Sequence, residues 1–346
     1  MNATTLSLSK QWNELKIQNP KLRTRQAADQ LGVSEAELLA STCDGDSCVR
    51  LMDSWKDILK AVESLGYVMA LTRNEAAVHE KKGIYQNFKL GNHVGLVLDE
   101  NIDLRIFFDH WHFGFAAEVE NPRGTLYSLQ FFDRDGTAVH KIYLMNDDQI
   151  DEYQQLVEQF SHPNQQPGLE VEPLSEPEPY KTLDEIDHTA FLQSWSELKD
   201  THDFHPMLKK FNIKRTDALR IAEQEFSYNV DPWCTQHMLR MAATREVPIM
   251  VFVRSQGVIQ IHTGPVQNIR MTGDWFNILD PEFNLHLRKN LFHSAWIVQK
   301  PTEDGIVTSL EVFDADEEQV VTFFGARKPG KAELKGWRSI TKELIE

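Results

Sequence analysis

The residues best suited to metal chemistry lie in the sequence DTHDFHPM, which contains His202 and His205. Asp200 and Asp203 flank His202. A carboxylate beside a histidine can accept the N–H of one ring nitrogen and leave the other nitrogen free to bind a metal ion. A group of cations follows a few residues later, at Lys209, Lys210, Lys214 and Arg215. This combination indicates an imidazole ligand beside a patch of positive charge.

Haem requires both features, because its iron takes a neutral imidazole and its two propionates need cationic partners around a large apolar ring. Phe204 and Met207 offer apolar contact near His202, and Arg215 follows 13 positions after His202 at the start of a predicted helix. We therefore predict that His202 is the axial ligand of haem iron, with His205 as the alternative ligand. The competing interpretation is an ordinary surface or core histidine that binds nothing.

Hydrophobic periodicity predicts the elements that position this stretch. Residues 8–40 and 52–66 have the pattern of amphipathic helices, and 147–160 forms another helix. From Tyr67 the period changes to two, which predicts strands separated by turns. In the longest of them, Trp111, Phe113 and Phe115 would share one face. The predicted strands are YVMALTR, AVHEKKGIYQNF, VGLVLD, LRIFFDHWHFGFAAEV, TLYSLQFF and TAVHKIYL.

After a Pro- and Glu-rich linker, sequence motifs of the first half return in the same order. WNELK at Trp12 returns as WSELK at Trp195, MALTR as MAATR, and SLQFFDRD as SLEVFDAD. We predict an α+β fold that is a tandem structural repeat, in which each half has a helical N-terminal part followed by a large antiparallel β-meander sheet. The predicted domains are an N-terminal repeat (1–161), an acidic linker (162–186) and a C-terminal repeat with the axial histidine (187–346).

The two halves differ in length near the histidines. Arg23 follows Trp12 by 11 positions, whereas Arg215 follows Trp195 by 20, so the second half has about nine additional residues there. A binding site acquired in one copy explains such an insertion, and a harmless loop insertion is the alternative.

Composition narrows the classes of function. A net charge of −16 argues against a general nucleic-acid binder, whose affinity comes from cations on phosphates. No apolar run reaches the length of a membrane span, and the N-terminus lacks the features of a signal peptide. The chain has only three cysteines, an odd number too small for a disulfide framework: Cys43, Cys48 and Cys234. Such sparse cysteine content is typical of proteins in a reducing cytosol. We therefore expect a cytoplasmic protein.

One segment has the spacing of a DNA-binding helix-turn-helix, with Ala28, Gly32 and Leu38 at the positions which that motif requires. Its second helix would carry Glu35 and Glu37 where it should face phosphates. A structural helical hairpin is therefore the better interpretation, and stable nucleic-acid binding is not expected.

Several motifs resemble one known family, the cytoplasmic haem-utilisation proteins of Gram-negative bacteria called the HemS/ChuS/PhuS group or hemin-degrading factors. The motif with the highest specificity is DTHxFxxxL from Asp200, followed by KRT from Lys214. DLRIF from Asp103, VFV from Val251 and FGxR from Phe324 add to the match, which covers essentially the whole chain. The resemblance implies haem held between the two halves, with its axial histidine on the C-terminal half.

Carried over by position, the resemblance implies a role for each matching residue. His202 is the axial ligand, and Arg105 lies on the distal side, where it polarises a bound water or oxygen. Phe107 and Phe252 are pocket-wall aromatics. Phe324 lies at the polar edge of the pocket, where some family members have tyrosine, and Thr322 replaces a glutamine. The implied cations near the propionates are Arg215, Lys300 and Arg327.

Two functions are consistent with these residues. In the first, the protein receives imported haem and degrades it to release iron, with a haem oxygenase-like activity that draws electrons from an external donor. In the second, it is a non-catalytic carrier that delivers haem to a separate oxygenase. The expected partners are haem, an electron donor or oxygenase, and an inner-membrane haem importer. A second haem contact at His79 is a further hypothesis that the family suggests.

Overall fold

The computed structural model describes residues 3–20, 22–121, 124–175, 178–328 and 330–346. The chain forms two compact units. Unit 1 comprises the described residues up to 73, together with 80–175 and 254–260; unit 2 comprises 74–79, 178–253 and the described residues from 261 onward. The main boundary, after residue 175, falls within the predicted linker. Two short segments belong to a different unit from the residues on either side of them: 74–79 belongs to unit 2 and 254–260 to unit 1.

Unit 1 begins with a helical part, and its first turn follows from local chemistry. Gly32 ends the second helix in the left-handed conformation (φ 67°), which glycine adopts at little cost. Ser34 begins the third: its hydroxyl accepts the Glu37 N–H at 3.2 Å, and the Glu37 carboxylate accepts the Ser34 N–H at 2.8 Å. The helices of unit 1 are α1 (Ala3–Gln18), α2 (Thr24–Leu31), α3 (Glu35–Ala40), α4 (Trp55–Ala61) and α5 (Ile150–Phe160).

The strands of unit 1 are β1 (Cys48–Arg50), β2 (Tyr67–Arg73), β3 (Ala77–Ile84), β4 (Phe88–Leu90), β5 (Val94–Leu98), β6 (Asp103–Phe107), β7 (Phe113–Asn121), β8 (Gly124–Phe132) and β9 (Ala138–Leu144). Neighbouring strands follow the order β1-β7-β8-β9-β2-β3 in one sheet, and β4, β5 and β6 are neighbours in the other. The meander β7–β8–β9 is antiparallel, and its register places Gln130 opposite Lys141.

The prediction of one long strand over residues 104–119 is wrong. β6 ends at Phe107, a 3-10 turn covers Phe108–His110, and β7 begins at Phe113. Trp111 directly follows the turn, is buried with a different cluster from Phe115, and donates its indole N–H to the Gly257 carbonyl at 3.2 Å. The alternation of aromatic residues in the sequence continues through the turn, although the strand does not. The pattern therefore predicted one strand where there are two.

Unit 2 has the corresponding strand order: β10-β16-β17-β18-β11-β12 are neighbours in one sheet, and β13, β14 and β15 are neighbours in the other. The predicted α+β tandem repeat is therefore confirmed. Its helices are α6 (His188–Ser196), α7 (Phe204–Phe211), α8 (Arg215–Ile221), α9 (Cys234–Thr244) and α10 (Lys335–Ile345). Its strands are β10 (Ser227–Val230), β11 (Ile249–Arg254), β12 (Val258–Gly264), β13 (Ile269–Thr272), β14 (Trp275–Leu279), β15 (Phe283–Arg288), β16 (Ser294–Thr302), β17 (Gly305–Phe313) and β18 (Gln319–Gly325).

The helical parts also correspond, and they correct the sequence comparison. α7 ends at Asn212 in the left-handed conformation (φ 51°), as α2 ends at Gly32, and α8 then begins at Arg215 as α3 begins at Glu35. Arg215 is therefore the counterpart of Glu35, and the proposed equivalence with Arg23 is wrong.

The supposed insertion disappears with this correction. Trp12 precedes the first residue of α2, Thr24, by 12 positions, and Trp195 precedes the first residue of α7, Phe204, by nine. The second half is thus slightly shorter here. The MALTR and MAATR match is also coincidental, since the first segment is a strand and the second ends a helix.

The large sheet of unit 2 has helices on both faces. One face packs against α9 and α10 through a cluster that includes Met238, Trp337 and Leu310. The other packs against α6–α8 through Trp195, Phe204 and the strand residues Trp296 and Val298. Beyond α6–α8 this second face is only partly covered, which leaves residues of β11 and β18 half-exposed. Across the described parts of both units, no helix combines the length and apolar character of a membrane span.

Candidate functional site

His202 lies in a one-turn 3-10 helix, Thr201–Asp203, directly before α7. Asp200 caps this turn: its Oδ1 accepts the His202 backbone N–H at 2.8 Å and lies 2.5 Å from the imidazole Nδ1. The imidazole is 90% exposed, and its Nε2 has no hydrogen-bond partner among the residues that the structure describes. Asp200 therefore fixes one ring nitrogen and leaves the other available to a ligand.

The guanidinium of Arg327 also acts on this carboxylate. The backbone N–H of His202, its imidazole and the guanidinium of Arg327 together hold the pKa of Asp200 below its ordinary value. Arg327 is largely buried and lies 3.6 Å from Asp304. Its Nη1 is buried without a hydrogen-bond partner in the described structure, which is costly for a charged group. An anion at this place would supply the missing acceptor.

Arg215 and Lys300 converge on one buried carboxylate, Glu311. Arg215 binds it with two parallel hydrogen bonds of 2.7 and 2.8 Å, and the Lys300 ammonium lies 2.8 Å from its Oε1. Ser309 donates to the same oxygen at 2.9 Å. Burial alone would raise the pKa of Glu311, but the two cations outweigh burial and hold this pKa well below its ordinary value.

Aromatic rings cover these cations. Arg215 and Lys300 both lie over the ring of Phe204, 4.9 and 4.8 Å from its centroid. Lys300 also lies 5.6 Å from the ring centroid of Phe324, whose ring packs edge-on against Phe252 at 5.3 Å. Because Phe204 begins α7, the same side chain connects the turn of His202 to the cation pair. The arrangement combines a half-exposed aromatic surface with fixed positive charge.

The structure thus brings together in unit 2 most of the predicted residues: His202, Arg215, Phe252, Lys300, Phe324 and Arg327. His205 is exposed on α7. Arg105 and Phe107 lie on β6 of unit 1, where Arg105 pairs with Asp103. His79 is fully buried, and its ring centroid lies 4.9 Å from that of Phe283.

Glu311, the centre of the cation pair, was not predicted from the sequence. A signal was present, because Glu311 replaces Gln130 in the repeated motif, which puts a carboxylate inside a strand pattern where the first copy has an amide. Asp304, the partner of Arg327, was not predicted either. No periodicity marks Asp304, since it lies in the turn between β16 and β17.

Comparison with known proteins identifies the family. A family model described as the haemin-degrading HemS.ChuX domain matches this chain twice, at residues 32–160 and 212–344. The chain belongs to the HemS/ChuX family. The two matched segments begin at Gly32 and Asn212, the residues that end α2 and α7, so the family's own repeat agrees with the structural equivalence.

HemS/ChuX relatives match over nearly the whole chain. The hemin transport protein HmuS of Yersinia pestis is 37% identical over 346 residues, which is 100% of this chain and 98% of the relative. The structure of holo-PhuS, a heme-binding protein from Pseudomonas aeruginosa, matches with a TM-score of 0.95 at 43% identity, and covers 98% of this chain and 99% of PhuS. The structure of ChuS, a heme degrading enzyme of Escherichia coli O157:H7, matches with a TM-score of 0.91 at 33% identity, over 99% of this chain and 100% of ChuS.

Proposed function

We propose that this protein binds haem as its cargo or substrate, with His202 as the axial ligand. The observation that carries the proposal is the geometry of that imidazole, whose Nδ1 is held by Asp200 at 2.5 Å while the exposed Nε2 has no partner among the described residues. A carboxylate–histidine pair of this kind orients metal-binding imidazoles and strengthens them as ligands.

The surroundings of His202 support a porphyrin more than a bare metal ion. In the described parts of the chain, no group of three or more His, Cys, Asp or Glu side chains could hold an ion by itself. Phe252 and Phe324 offer half-exposed aromatic surface, and the unpartnered Nη1 of Arg327 is suited to a propionate. We assign Arg327 the closest propionate contact, since Arg215 and Lys300 are already bound to Glu311.

The relatives define the biological role that the proposal extends to this chain. They are described as a hemin transport protein, a heme-binding protein and a heme degrading enzyme. We propose that the protein receives haem and degrades it to release iron, with non-catalytic delivery to a separate oxygenase as the second candidate. Cytoplasmic location, an electron donor, an importer and the distal role of Arg105 stay predictions.

A hemin titration followed by absorption spectroscopy tests the axial ligand. His202→Ala should move the Soret band and weaken hemin binding, and Asp200→Asn should weaken it by about 10-fold to 100-fold, as loss of a hydrogen-bond partner does to a ligating histidine. His205→Ala, one turn away, is the matched control and should bind as the unaltered protein does. An unchanged spectrum in His202→Ala with an altered one in His205→Ala would transfer the role to His205.

A single-turnover experiment separates degradation from delivery. The hemin complex is mixed with a chemical reductant in air, and the Soret band and free iron are followed together. Decay of the band with release of iron supports an enzyme, whereas a stable complex that passes hemin to an added oxygenase supports a carrier. Arg105→Ala should change this reaction and leave hemin affinity largely intact. Loss of binding would contradict a distal role.

A further inference from the structure

Unit 1 contains a cavity of 290 Å³ that is made from none of the predicted haem residues. Its volume is close to the lower limit of about 300 Å³ for small-molecule sites. It lies where β1, the start of β7 and the segment after α5 meet. Its walls combine apolar and basic side chains, chiefly Arg50, Trp55, His112, Phe113, His162 and Leu169. Asp53 lies at its exposed edge.

Arg50 is the cation of this cavity. Asp53 lines the same space at its exposed edge, but no ion pair joins the two side chains among the described residues. The Nη2 of Arg50 donates to the carbonyls of Gly168 and Gln166, at 2.5 and 3.4 Å, which are neutral acceptors. Its Nε is buried without a partner, and Nη1 also has none among the described residues. A half-buried guanidinium with unused N–H groups and no carboxylate partner favours an anion from outside the protein.

The histidines of the cavity add polar groups. Nδ1 of His162 lies 3.0 Å from the backbone nitrogen of Asn164 and 3.2 Å from its carbonyl oxygen, and Nε2 has no partner among the described residues. Arg134 donates to Nε2 of His112 at 3.1 Å. The ring proton of the neutral His112 is therefore on Nδ1, which lies 3.2 Å from Asp133. His112 thus has a carboxylate partner, whereas Arg50 and His162 form no ion pair among the described residues.

The repeat shows that the fold itself does not need this cation. Arg50 pairs with Phe115 in the sheet of unit 1, and the equivalent pair in unit 2 is Asn229 with Trp296. The second copy thus forms the same edge strand with a neutral amide. Arginine at this position belongs to unit 1 alone, where one of its nitrogens holds the segment after α5 and the others are left over.

We propose that this cavity is a second binding site, for a small organic carboxylate with a planar apolar body. The carboxylate would accept hydrogen bonds from Nη1 of Arg50, since Nε is buried and Nη2 is bound to the two carbonyls. The apolar body would lie against Trp55, Phe113 and Leu169, which exclude a fully hydrated inorganic ion.

Ligand-observed NMR on the full-length protein, with benzoate as the probe, tests the site. Benzoate should bind with a dissociation constant of the order of 1 mM, as expected for so few atoms. Benzyl alcohol, which has the same ring without the charge, should bind at least about tenfold more weakly. Arg50→Gln should produce a similar loss for benzoate. Inorganic phosphate should not displace benzoate.

Two further variants make the result specific to this cavity. Leu169→Trp fills the space without a change in charge and should also abolish benzoate binding. Because this variant keeps the hydrogen bond from Arg50 to Gly168, it distinguishes a filled cavity from the local loosening that Arg50→Gln could cause. Arg240→Gln removes an exposed arginine of unit 2 that lies outside the haem residues and should have no effect. Benzoate binding that survives Leu169→Trp, or that Arg240→Gln abolishes, would overturn the proposal. An absence of binding at about 10 mM benzoate, tenfold the expected dissociation constant, would also overturn it.

Discussion

Glu35 and Arg215 occupy the same place in the two repeats and carry opposite charges. Each is the first residue of the helix after the left-handed turn. In unit 1 the helix supplies the carboxylate, and Glu35 pairs with Lys141 and Arg73 from the sheet. In unit 2 the helix supplies the cation, and Arg215 joins Lys300 on the sheet carboxylate Glu311. Both copies therefore bury one carboxylate between two cations.

This inversion shows how a duplicated scaffold can create a site without a change of fold. A carboxylate suits the positive end of a helix, whereas an arginine does not, so Arg215 depends on Glu311 for its stability. The exchange brings a guanidinium onto Phe204, at the end of the turn that carries His202. In unit 1 the counterpart of His202, two residues before the helix, is Leu22, which packs against the helical cluster.

The largest effect should come from the centre of the unit 2 cluster. Glu311→Ala leaves Lys300 and Arg215 without their buried partner and should lower the free energy of unfolding by about 3–5 kcal/mol. Urea denaturation measures this loss. Glu317→Ala is the control: it removes a more exposed carboxylate that pairs with Lys214 and Arg220, and should cost less than about 1 kcal/mol. Equal losses in the two variants would mean that burial does not distinguish these clusters.

A second difference between the units lies at His140, whose counterpart in unit 2 is Val321. His140 is buried and hydrogen-bonded to Thr72 at 2.8 Å and Tyr85 at 2.6 Å. Burial lowers the pKa of His140 from 6.5 to about 3. Between these two pKa values the unfolded chain binds a proton at His140 and the folded chain does not. The stability is therefore unaffected above pH 6.5 and is lost as the pH falls from 6.5 towards 3.

We expect this loss to approach about 1.4 kcal/mol per pH unit in unit 1. Hydrogen exchange of β9 and β18 peptides at pH 7 and pH 5 reports the two units separately, after correction for the intrinsic exchange rate. β9 should lose more protection than β18. His140→Val should reduce that difference, even though it leaves two hydroxyl groups unpaired and lowers stability at pH 7. An unchanged difference in the variant would assign the acid sensitivity to another group.

The helix caps differ less. Ser34 accepts the Glu37 N–H, whereas its counterpart Lys214 makes no such bond and instead pairs with Glu317 at 2.8 Å. Ser34→Ala should therefore cost about 1 kcal/mol in thermal or urea unfolding. Lys214→Ala should cost less than about 0.5 kcal/mol, because it removes only a partly exposed ion pair. A larger cost for Lys214→Ala would show that the ion pair with Glu317 stabilises unit 2 more than a partly exposed pair normally does.

The smallest effect should follow Phe324→Tyr, which gives unit 2 the residue of its counterpart, Tyr143. Phe324 is half-exposed, so a hydroxyl group can reach solvent, and stability should change by less than about 0.5 kcal/mol. Hemin affinity should change little in the same titration that tests His202. A large gain in affinity would indicate that the hydroxyl binds the ligand directly.

The sequence predicted the type of most elements and part of their correspondence between repeats, since SLQFFDRD and SLEVFDAD begin on the equivalent strands β8 and β17. β2, β8 and the helix at 150–160 are found close to the predicted positions, because each has a clear hydrophobic period. The match of MALTR to MAATR failed, since five similar letters can form a strand or a helix according to what surrounds them. The predicted insertion was wrong for a related reason. Gly32 and Asn212 adopt the same left-handed turn, but the residues around them differ in sequence, so the equivalence could not be recognised from the letters.

For the site, chemistry that depends on neighbours in sequence could be predicted, and chemistry that depends on the sheet could not. Asp200 beside His202 is local, so the primary structure alone determined that pair, together with the family and the repeat. Only the tertiary structure decided that Arg215 and Lys300 share Glu311 and that Arg327 keeps an unpartnered nitrogen. Those relations join residues up to 96 positions apart, and strand register, which adjacent letters do not encode, sets their distances.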